Sequence, residues 1–201
     1  MISQLLVFLK RTILSPRVFT LLLVAFGLML GPVGIGRASS YITVTLTEDN
    51  KTANDGFCSL REAIIAANSD KQSGGKPGEC VAGSGADTII IPAGHYTLSR
   101  TDNGKEDAAA TGDLDITEDL TIIGAGADVT VIDGNGITDR IFHVLSGPVT
   151  ISGVTVQDGN VRGDGGGIYN AAHLTLTDSV LTQNAADGVG GALYNAATGT
   201  L

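Results

Sequence analysis

The 201-residue sequence contains no tryptophan, and aromatic residues make up only 4% of it. Glycine, in contrast, occurs 28 times. This composition argues against a helical bundle and favours short aliphatic strands joined by many turns. Because 43% of the residues are hydrophobic, the chain can form a core of ordinary size, which argues against a disordered protein.

Basic residues are also scarce. The chain has 12 Lys and Arg against 21 Asp and Glu, and four of the basic residues lie in the segment 1–38, which has no acidic residue. Without that segment, 8 basic residues face 21 acidic ones, a net charge of −13. A surface this acidic repels phosphate backbones, so no nucleic-acid partner is predicted.

The segment 1–38 has the pattern of a secretory signal peptide. Basic residues precede the apolar run 18–30, and two small residues, Gly36 and Ala38, indicate cleavage after Ala38. The alternative is an uncleaved anchor, but this run of thirteen residues is shorter than the roughly 20 that a bilayer requires. We therefore predict a protein that is extracellular or held at the outer membrane, with no membrane span after signal cleavage.

The chain has only two cysteines, Cys58 and Cys80, and both lie in the predicted exported part. Their spacing matches neither a metal-binding nor a redox CxxC pair, and no histidines cluster beside them. In an oxidising compartment an even number of cysteines favours a disulfide between them, with free thiols as the alternative.

The segment "CSLREAIIAANS" (58–69) predicts an α-helix. Ser59 precedes Glu62 by three residues, which is the spacing of a capping box at a helix start. Arg61 and Glu62 are expected to face away from the apolar stripe. The stripe that the helix would bury consists of Leu60, Ala63, Ile64 and Ala67.

The rest of the chain has the pattern of short strands. One strand is predicted at 41–47, and from Asp87 onward aliphatic residues alternate with Thr, as in "VTV" (129–131), "VTI" (149–151) and "LTL" (174–176). Turns rich in glycine and aspartate, such as "DGNG" and "GDGGG", separate these triplets. Such strands and turns are typical of a sandwich, a barrel or a solenoid.

An internal repeat favours the solenoid. The stretch "GDGGGIYNAAHLTLT" (163–177) recurs as "GVGGALYNAATGTL" (188–201), and this offset of about 25 residues is about one coil of a parallel β-solenoid. We expect hydrogen bonds between stacked Asn side chains; a tyrosine ladder for sugar binding is the alternative role of the repeated "YN". The expected pairs are Ile168 with Leu193, Tyr169 with Tyr194, and Asn170 with Asn195.

A solenoid also gives the helix a role. The first coil has no predecessor, so its core and its strand edge need a cap. We predict that Leu60 and Ile64 cover this end within an N-terminal cap, 39–86, and that 87–201 form about four to five coils. The sequence stops part-way through a coil, so truncation, further coils or a partner is expected at the C-terminal end.

These segments resemble a family of bacterial secreted proteins named for the CSLREA motif. The likeness extends over about residues 41–201 and rests on "CSLREAIIAANS", on "GECVAGSGADTIIIPAGHYTL" (78–98) and on the turns "GGGIYN" and "GGALYN". The resemblance implies an all-β fold, a right-handed parallel β-helix of the pectate-lyase type. The turns are also similar to repeats of chlamydial polymorphic outer-membrane proteins, although here Leu181-x-x-Asn184 replaces Phe-x-x-Asn.

A β-helix can carry polysaccharide-cleaving sites on an outer face, either acids that hold Ca²⁺ beside a base or paired carboxylates. Most of the candidate acids here lie next to glycine, where Asp is the expected turn residue. The turn role is therefore favoured and no catalytic residue is assigned. The candidates are Asp113, Asp115, Asp133, Asp158 and Asp164, with Arg140 and Arg162 as the nearby bases.

No cofactor or metal site is predicted. His95, His143 and His173 have no zinc-binding spacing, and His143 follows the apolar "RIF", which favours a strand-face or core histidine. The sequence has no G-x-S-x-G elbow. The polar segment 99–112 is expected to form a loop that projects from the fold. A solvated loop is favoured over a loop that binds a ligand.

The leading expectation for function is a non-enzymatic, adhesin-like protein of the cell surface or envelope. Its partner would be an extracellular polysaccharide or another cell-surface component. A polysaccharide lyase or glycoside hydrolase is the alternative, and it needs more than the fold, because a fold alone does not confer activity. The enzyme hypothesis requires two acids and a base that converge on one outer face of adjacent coils.

Overall fold

Parallel β-strands are the main regular structure of the described chain, together with one α-helix. The computed structural model describes residues 39–101, 106–196 and 199–201, and the predicted signal peptide at 1–38 lies outside the described residues. In chain order the elements are β1 (Tyr41–Thr43), α1 (Leu60–Ser69), β2 (Asp87–Ile91), β3 (Gly94–Thr97), β4 (Leu114–Ile116), β5 (Leu120–Gly124), β6 (Thr130–Asp133), β7 (Phe142–Val144), β8 (Pro148–Ser152), β9 (Thr155–Gln157), β10 (Asn160–Val161), β11 (Ile168–Asn170), β12 (His173–Thr177), β13 (Val180–Thr182), β14 (Ala185–Ala186) and β15 (Leu193–Asn195).

The strands assemble into three larger sheets that the chain visits in turn. Sheet 1 contains β1, β2, β5, β8 and β12 in that order, sheet 2 contains β3, β6, β9 and β13, and sheet 3 contains β4, β7, β11 and β15. The short strands β10 and β14 pair with each other. The pairings within the sheets are parallel. The protein therefore has the all-β, parallel-stranded class that the sequence predicts.

The repeat in the sequence corresponds to strand pairing in sheet 3. Strands β11 and β15 pair in the predicted register, with Ile168 opposite Leu193 and Tyr169 opposite Tyr194. The third pair, Asn170 and Asn195, lies 25 residues apart along the chain. We call one run of the chain through the three sheets a passage. This register places equivalent residues of successive passages next to one another, as the repeat requires.

Earlier passages of the chain are longer than this repeat. In sheet 1, Tyr41 pairs with Thr88 and Thr88 pairs with Thr121. The first of these passages contains α1, and the second contains the segment 99–112. These two insertions are the irregular parts of an otherwise repeating structure.

Aliphatic side chains stack in rows between the sheets and form the core. In a parallel sheet, residues in register lie above one another on the same face, so one inward position gives one row. Burying each large aliphatic side chain stabilises the fold by roughly 1.5–3 kcal/mol. One row in sheet 1 consists of Ile42, Ile89, Ile122, Ile151 and Leu176. The inward row of sheet 3 begins with Leu114, Phe142 and Ile168.

Two details of the strand prediction are wrong. The predicted strand at 41–47 ends at Thr43. Val44 N still donates to Ile90 O of β2, but the N–H groups of Thr45 and Leu46 donate to Cys58 O, in the segment before α1. In "VTV" (129–131) the facing is reversed, since Thr130 is buried whereas Val129 is exposed. The Thr130 hydroxyl accepts a hydrogen bond from Ala125 N at 3.0 Å, which satisfies it inside the protein.

The turn after β13 is tied to the preceding passage of the chain by Asn184. Its Oδ1 accepts a hydrogen bond from Gly159 N at 2.9 Å, and its Nδ2 donates to Val156 O at 2.9 Å. Leu181, three residues earlier, is half-buried against the core. The Leu181-x-x-Asn184 element therefore combines an apolar contact with the core and two hydrogen bonds to the backbone of the preceding passage.

Helix α1 begins with the predicted capping box. Ser59 Oγ accepts a hydrogen bond from Glu62 N at 3.2 Å, and Glu62 Oε2 accepts one from Ser59 N at 3.0 Å. Leu60 and Ile64 are buried in the same core as the strands. Arg61 and Glu62 do not face outward as expected, because both are buried. Arg61 is covered by Asp49 and by the backbone at Ala109, whereas Glu62 turns back to Ser59 in the capping box.

Cys58 and Cys80 form the predicted disulfide, with a Cα–Cα distance of 4.8 Å. Both cysteines are buried. The bond joins the residue before the helix cap, Ser59, to the end of the loop that follows α1. Within the described part of the chain, no helix is long and apolar enough to cross a bilayer.

Candidate functional site

The outer face of sheet 3 carries a row of functional side chains. In β4 and β7 the residues between the inward-facing ones are Asp115 and His143, and they pair in register. The row continues through Tyr169 of β11 and Tyr194 of β15. Because alternate residues of a strand point to opposite faces, the same periodicity that builds the core builds this row.

A cleft of about 1040 Å³ lies over the middle of this row. His143 and Tyr169 form part of its wall. The other charged groups come from the segment before β4, the turn before β7, and the turns after β10 and β14. The acids of the wall are Glu106, Asp107, Asp113, Asp139 and Asp187, and the arginines are Arg140 and Arg162.

Asp115 is the buried centre of the cluster. Its Oδ2 accepts a hydrogen bond from Ala109 N at 2.9 Å, and its Oδ1 lies 3.0 Å from His143 Nδ1. We assign the proton of this second bond to Nδ1, because a carboxylate is an acceptor. The bond orients the imidazole, so that the other ring nitrogen, Nε2, is left for other partners.

Asp113 lies beside this pair and is also almost fully buried. Its Oδ2 is 3.2 Å from Arg140 Nη1 and 3.9 Å from His143 Nδ1. The pKa of Asp113 is raised to about 8, mainly because the group is buried and also because the carboxylates of Asp115 and Asp139 are near, while Arg140 acts in the opposite direction. The raised pKa favours the protonated form of Asp113 at neutral pH, despite its contact with an arginine.

The aromatic residues of the row are in contact with one another. The rings of His143 and Tyr169 meet edge to face with centroids 5.1 Å apart, and the rings of Tyr169 and Tyr194 are tilted at the same distance. The Arg140 guanidinium lies 5.1 Å from the centroid of the Tyr169 ring, which is within the range of a cation–π contact. These contacts pack the aromatic side chains against one another along the outer face of sheet 3.

The structure brings together four of the candidate residues from the sequence. Asp113, Asp115 and Arg140 are in one cluster, and Arg162 lies on the cleft wall. His143 is a strand-face histidine, as predicted, but its pairing with Asp115 was missed. The signal for that pairing is the alternation in "DLDI" and "IFHV", which places both residues on the outer face once the strands are aligned.

The remaining acid candidates lie elsewhere and have structural roles. Asp133 belongs to sheet 2, where its Oδ2 is 2.6 Å from His95 Nε2. Asp158 occupies a left-handed turn position with φ of 57°. Asp164 Oδ1 accepts a hydrogen bond from Val189 N at 2.8 Å. For these three aspartates the turn and strand-end interpretation holds. The third histidine, His173, contacts the Thr200 hydroxyl away from the cleft.

The segment 99–112 does more than project into solvent. Its described part after 105 places Glu106 and Asp107 on the cleft wall and covers Asp115 through Ala109. Sequence reasoning missed these residues, because loop conformation leaves no periodic pattern to read.

Three residues offer atoms that could surround a cation. Asp107, Asp115 and His143 each place one ligand atom within 4.8 Å of the others. However, the Asp115 oxygens already bind Ala109 N and His143, and a metal would have to replace the contact with His143. We therefore describe these residues as a hydrogen-bonded cluster and assign no metal to them.

Comparisons of the chain with protein-family models, with curated proteins and with solved structures find no match. The function is therefore inferred from the geometry and charge of the cleft itself. That geometry combines a concave wall, fixed aromatic rings, several carboxylates and two arginines, which together can bind a ligand with both apolar faces and hydroxyl groups.

Proposed function

We propose that this chain is an adhesin-like protein of the cell surface or extracellular space, built as a right-handed parallel β-helix of the CSLREA-motif family. Its function is to bind an extracellular polysaccharide, without cleaving it, in the cleft over sheet 3. The regular order in which the chain visits the three sheets supports a β-helix. Connections between parallel strands are right-handed in almost all proteins, which supports the handedness.

An extracellular location is supported by the disulfide. Cys58 and Cys80 are bonded and buried, which is typical of exported proteins and rare in the cytosol. The signal-peptide pattern of 1–38 and the acidic net charge fit the same location. Family membership rests on the motif residues, which here form the helix cap and the disulfide.

The observation that carries the proposal is the alignment of the outer row with the cleft. Sugar rings have apolar C–H faces and a rim of hydroxyl groups, so they suit sites that combine aromatic side chains with carboxylates. Tyr169 supplies an aromatic surface inside the cleft, and Tyr194 continues it along the sheet. The stacked register gives equivalent positions in successive strands, which fits a repeating polymer better than a small molecule.

The charge of the cleft selects among polysaccharides. Five carboxyl groups on the wall face two arginines. Even with Asp113 protonated, the acids remain in excess, so a polymer of uronic acids is repelled. The expected ligands are neutral polysaccharides or polymers of amino sugars.

A glycan-binding experiment tests the proposal. The purified chain is applied to immobilised neutral glucans, chitosan oligosaccharides and polygalacturonate. We expect binding to one of the first two classes and none to polygalacturonate. Tyr169→Ala should weaken binding about fivefold, since an aromatic contact contributes on the order of 1 kcal/mol.

Tyr41→Ala is the matched control, because Tyr41 is 70% exposed on β1 and lies outside the cleft. It should leave binding unchanged. Binding that is absent for all three glycan classes, or that is equally affected by both tyrosine variants, contradicts the proposal.

Hydrolysis of a glycosidic bond is the second candidate function, and the protonated Asp113 favours it. Glycosidases pair a carboxyl group of raised pKa, which acts as the acid, with an ionised carboxylate. Asp113 has the raised pKa, and Asp107 and Asp139 are further carboxyl groups of the same wall. These acids line one cleft with Arg140, which supports a hydrolytic site there. Against it, Asp133 and Asp158 lie apart from Arg162 and do not converge on this cleft.

Release of reducing ends from the bound glycan separates the two functions. If the chain is a glycosidase, Asp113→Asn abolishes release while binding persists. If the wild-type chain binds the glycan and releases no reducing ends over days, the non-enzymatic function stands.

A further inference from the structure

Arg61, the arginine of the CSLREA motif, is fully buried between α1 and the wall of the cleft. Its Nε donates to Asp49 Oδ1 at 2.5 Å, and its Nη2 donates to Asp49 Oδ2 at 3.2 Å. This bidentate pair fixes the plane of the guanidinium and compensates its charge. The fixed plane determines where the remaining donors point.

Those remaining donors bind the backbone of the cleft wall. Nη1 donates to Ala109 O at 3.0 Å and to Asp113 O at 3.1 Å, and Nη2 donates to Gly112 O at 2.8 Å. A guanidinium has five N–H groups, and the two bonds to Asp49 and these three use all of them. A lysine has three donors and no planar fork, so it cannot replace this set.

The backbone that Arg61 holds is in an unfavourable conformation. Ala109 has φ of 54° and Gly112 has φ of 60°, both in the left-handed region. Glycine adopts this region readily, but alanine does not. The segment therefore depends on contacts with the rest of the chain to keep its shape. Besides Arg61, these contacts include the bonds from Ala109 N to Asp115 Oδ2, from Gly112 N to Arg100 O and from Arg100 Nε to Ala110 O.

We propose that Arg61 is a positioning residue for the cleft, which holds the segment 109–113 in place so that Asp113 and Asp115 face His143. The helix that begins at the motif thereby shapes the binding site as well as covering the core. Asn68 at the other end of α1 supports the same strand, since its Nδ2 donates to Asp115 O at 2.8 Å and its Oδ1 accepts from Thr117 N at 3.1 Å.

The test compares Arg61→Lys with Ser59→Ala in the full chain. Both substitutions act on the start of α1, but the Ser59 side chain bonds only within the cap and to Asn50 O, not to 109–113. Hydrogen exchange of the Ala109 amide is measured by NMR and normalised to global unfolding in the same variant. We expect Arg61→Lys to raise this exchange roughly tenfold or more, and Ser59→Ala to leave it unchanged.

If Arg61→Lys does not fold, Asp49→Asn provides the same readout, because it weakens the pair that orients the guanidinium and leaves Arg61 in place. Equal exchange at Ala109 in the Arg61 or Asp49 variant and in the Ser59 variant overturns the positioning role.

The expected effect of Arg61 on glycan affinity rests on the proposed function. The experiments distinguish a failure of the positioning role from a failure of the proposed function. If the positioning role and the proposed function are both right, glycan affinity falls in Arg61→Lys and not in Ser59→Ala. If the wild-type chain binds no glycan but Ala109 exchange rises as expected, the proposed function is wrong and the positioning role stands.

Discussion

Asn170 donates a hydrogen bond from Nδ2 to Oδ1 of Asn195 at 2.6 Å, and the two residues lie opposite each other in β11 and β15. Asn170 is fully buried, whereas Asn195 is exposed. The Asn170 amide also accepts from Ala172 N at 3.1 Å and donates to Thr200 O at 2.9 Å. The repeated "YN" therefore places a buried amide that joins one passage of the chain to the next.

Replacing the buried member of this pair should cost more than replacing the exposed one. Asn170→Ala leaves the Ala172 N–H without its partner inside the protein, and an unsatisfied buried group costs about 1–3 kcal/mol. Asn195→Ala removes one acceptor near solvent and should cost less than about 1 kcal/mol. Urea unfolding followed by circular dichroism measures both values, and equal losses would contradict the role of Asn170.

Removing the disulfide should destabilise the N-terminal part of the fold. The bond closes a loop between residues separated by 22 positions, for which chain entropy predicts roughly 3 kcal/mol. The double variant Cys58→Ser/Cys80→Ser should therefore unfold roughly 6–12 °C below the wild type. Dithiothreitol should lower the midpoint of thermal unfolding of the wild type and leave that of the double variant unchanged. An unchanged midpoint of the wild type in dithiothreitol would contradict the prediction.

Asp113 should make the stability depend on pH. Its pKa in the folded protein, about 8, lies above the ordinary Asp value near 4. Between these values the folded protein holds a proton that the unfolded chain has released, so the free energy of unfolding falls as the pH rises from 4 to 8. The slope from one such group is at most about 1.4 kcal/mol per pH unit.

Asp113→Asn removes this titrating group, so it should reduce the dependence of the free energy of unfolding on pH. The difference between variant and wild type is measured by urea unfolding at several pH values, and it should shift in favour of the variant as the pH approaches 8. Asp158→Asn, at a turn outside the cleft, serves as the control. Parallel curves for wild type and Asp113→Asn would show that Asp113 does not retain its proton.

The regular parts of this fold could be predicted from the sequence because they follow simple periods. The repeat gave the register of Ile168 with Leu193, and the spacing of Ser59 and Glu62 gave the helix start, since both depend on neighbours along the chain or one repeat away. The disulfide followed from there being only two cysteines.

The site could be predicted only in part, because it combines regular and irregular elements. Asp115 and His143 follow the period of their strands, so aligned strands place them together. Arg61 was expected to face outward because a helical pattern assigns charged residues to solvent. It is buried by Asp49 and by the segment 109–113, in which the left-handed conformation of Ala109 has no signature in the sequence.

The glycine turn before β11 gives a last prediction, since two of its glycines differ in their surroundings. A Cβ added at Gly166 would lie 2.1 Å from Ala185 O, a backbone atom of the next passage that cannot move aside. A Cβ at Gly163 would meet nothing closer than Arg140 Nη2 at 3.7 Å. Gly166→Ala should therefore separate the stacked turns and destabilise the protein by about 1–3 kcal/mol or more.

Gly163→Ala, three residues away, should be neutral or stabilising by up to about 1 kcal/mol, because alanine restricts the unfolded chain and fits the space. Thermal and urea unfolding of both variants measure the contrast. The two substitutions add the same methyl group to the same turn. A similar change in the free energy of unfolding for both would therefore mean that the close stacking of the passages is not what requires glycine at 166.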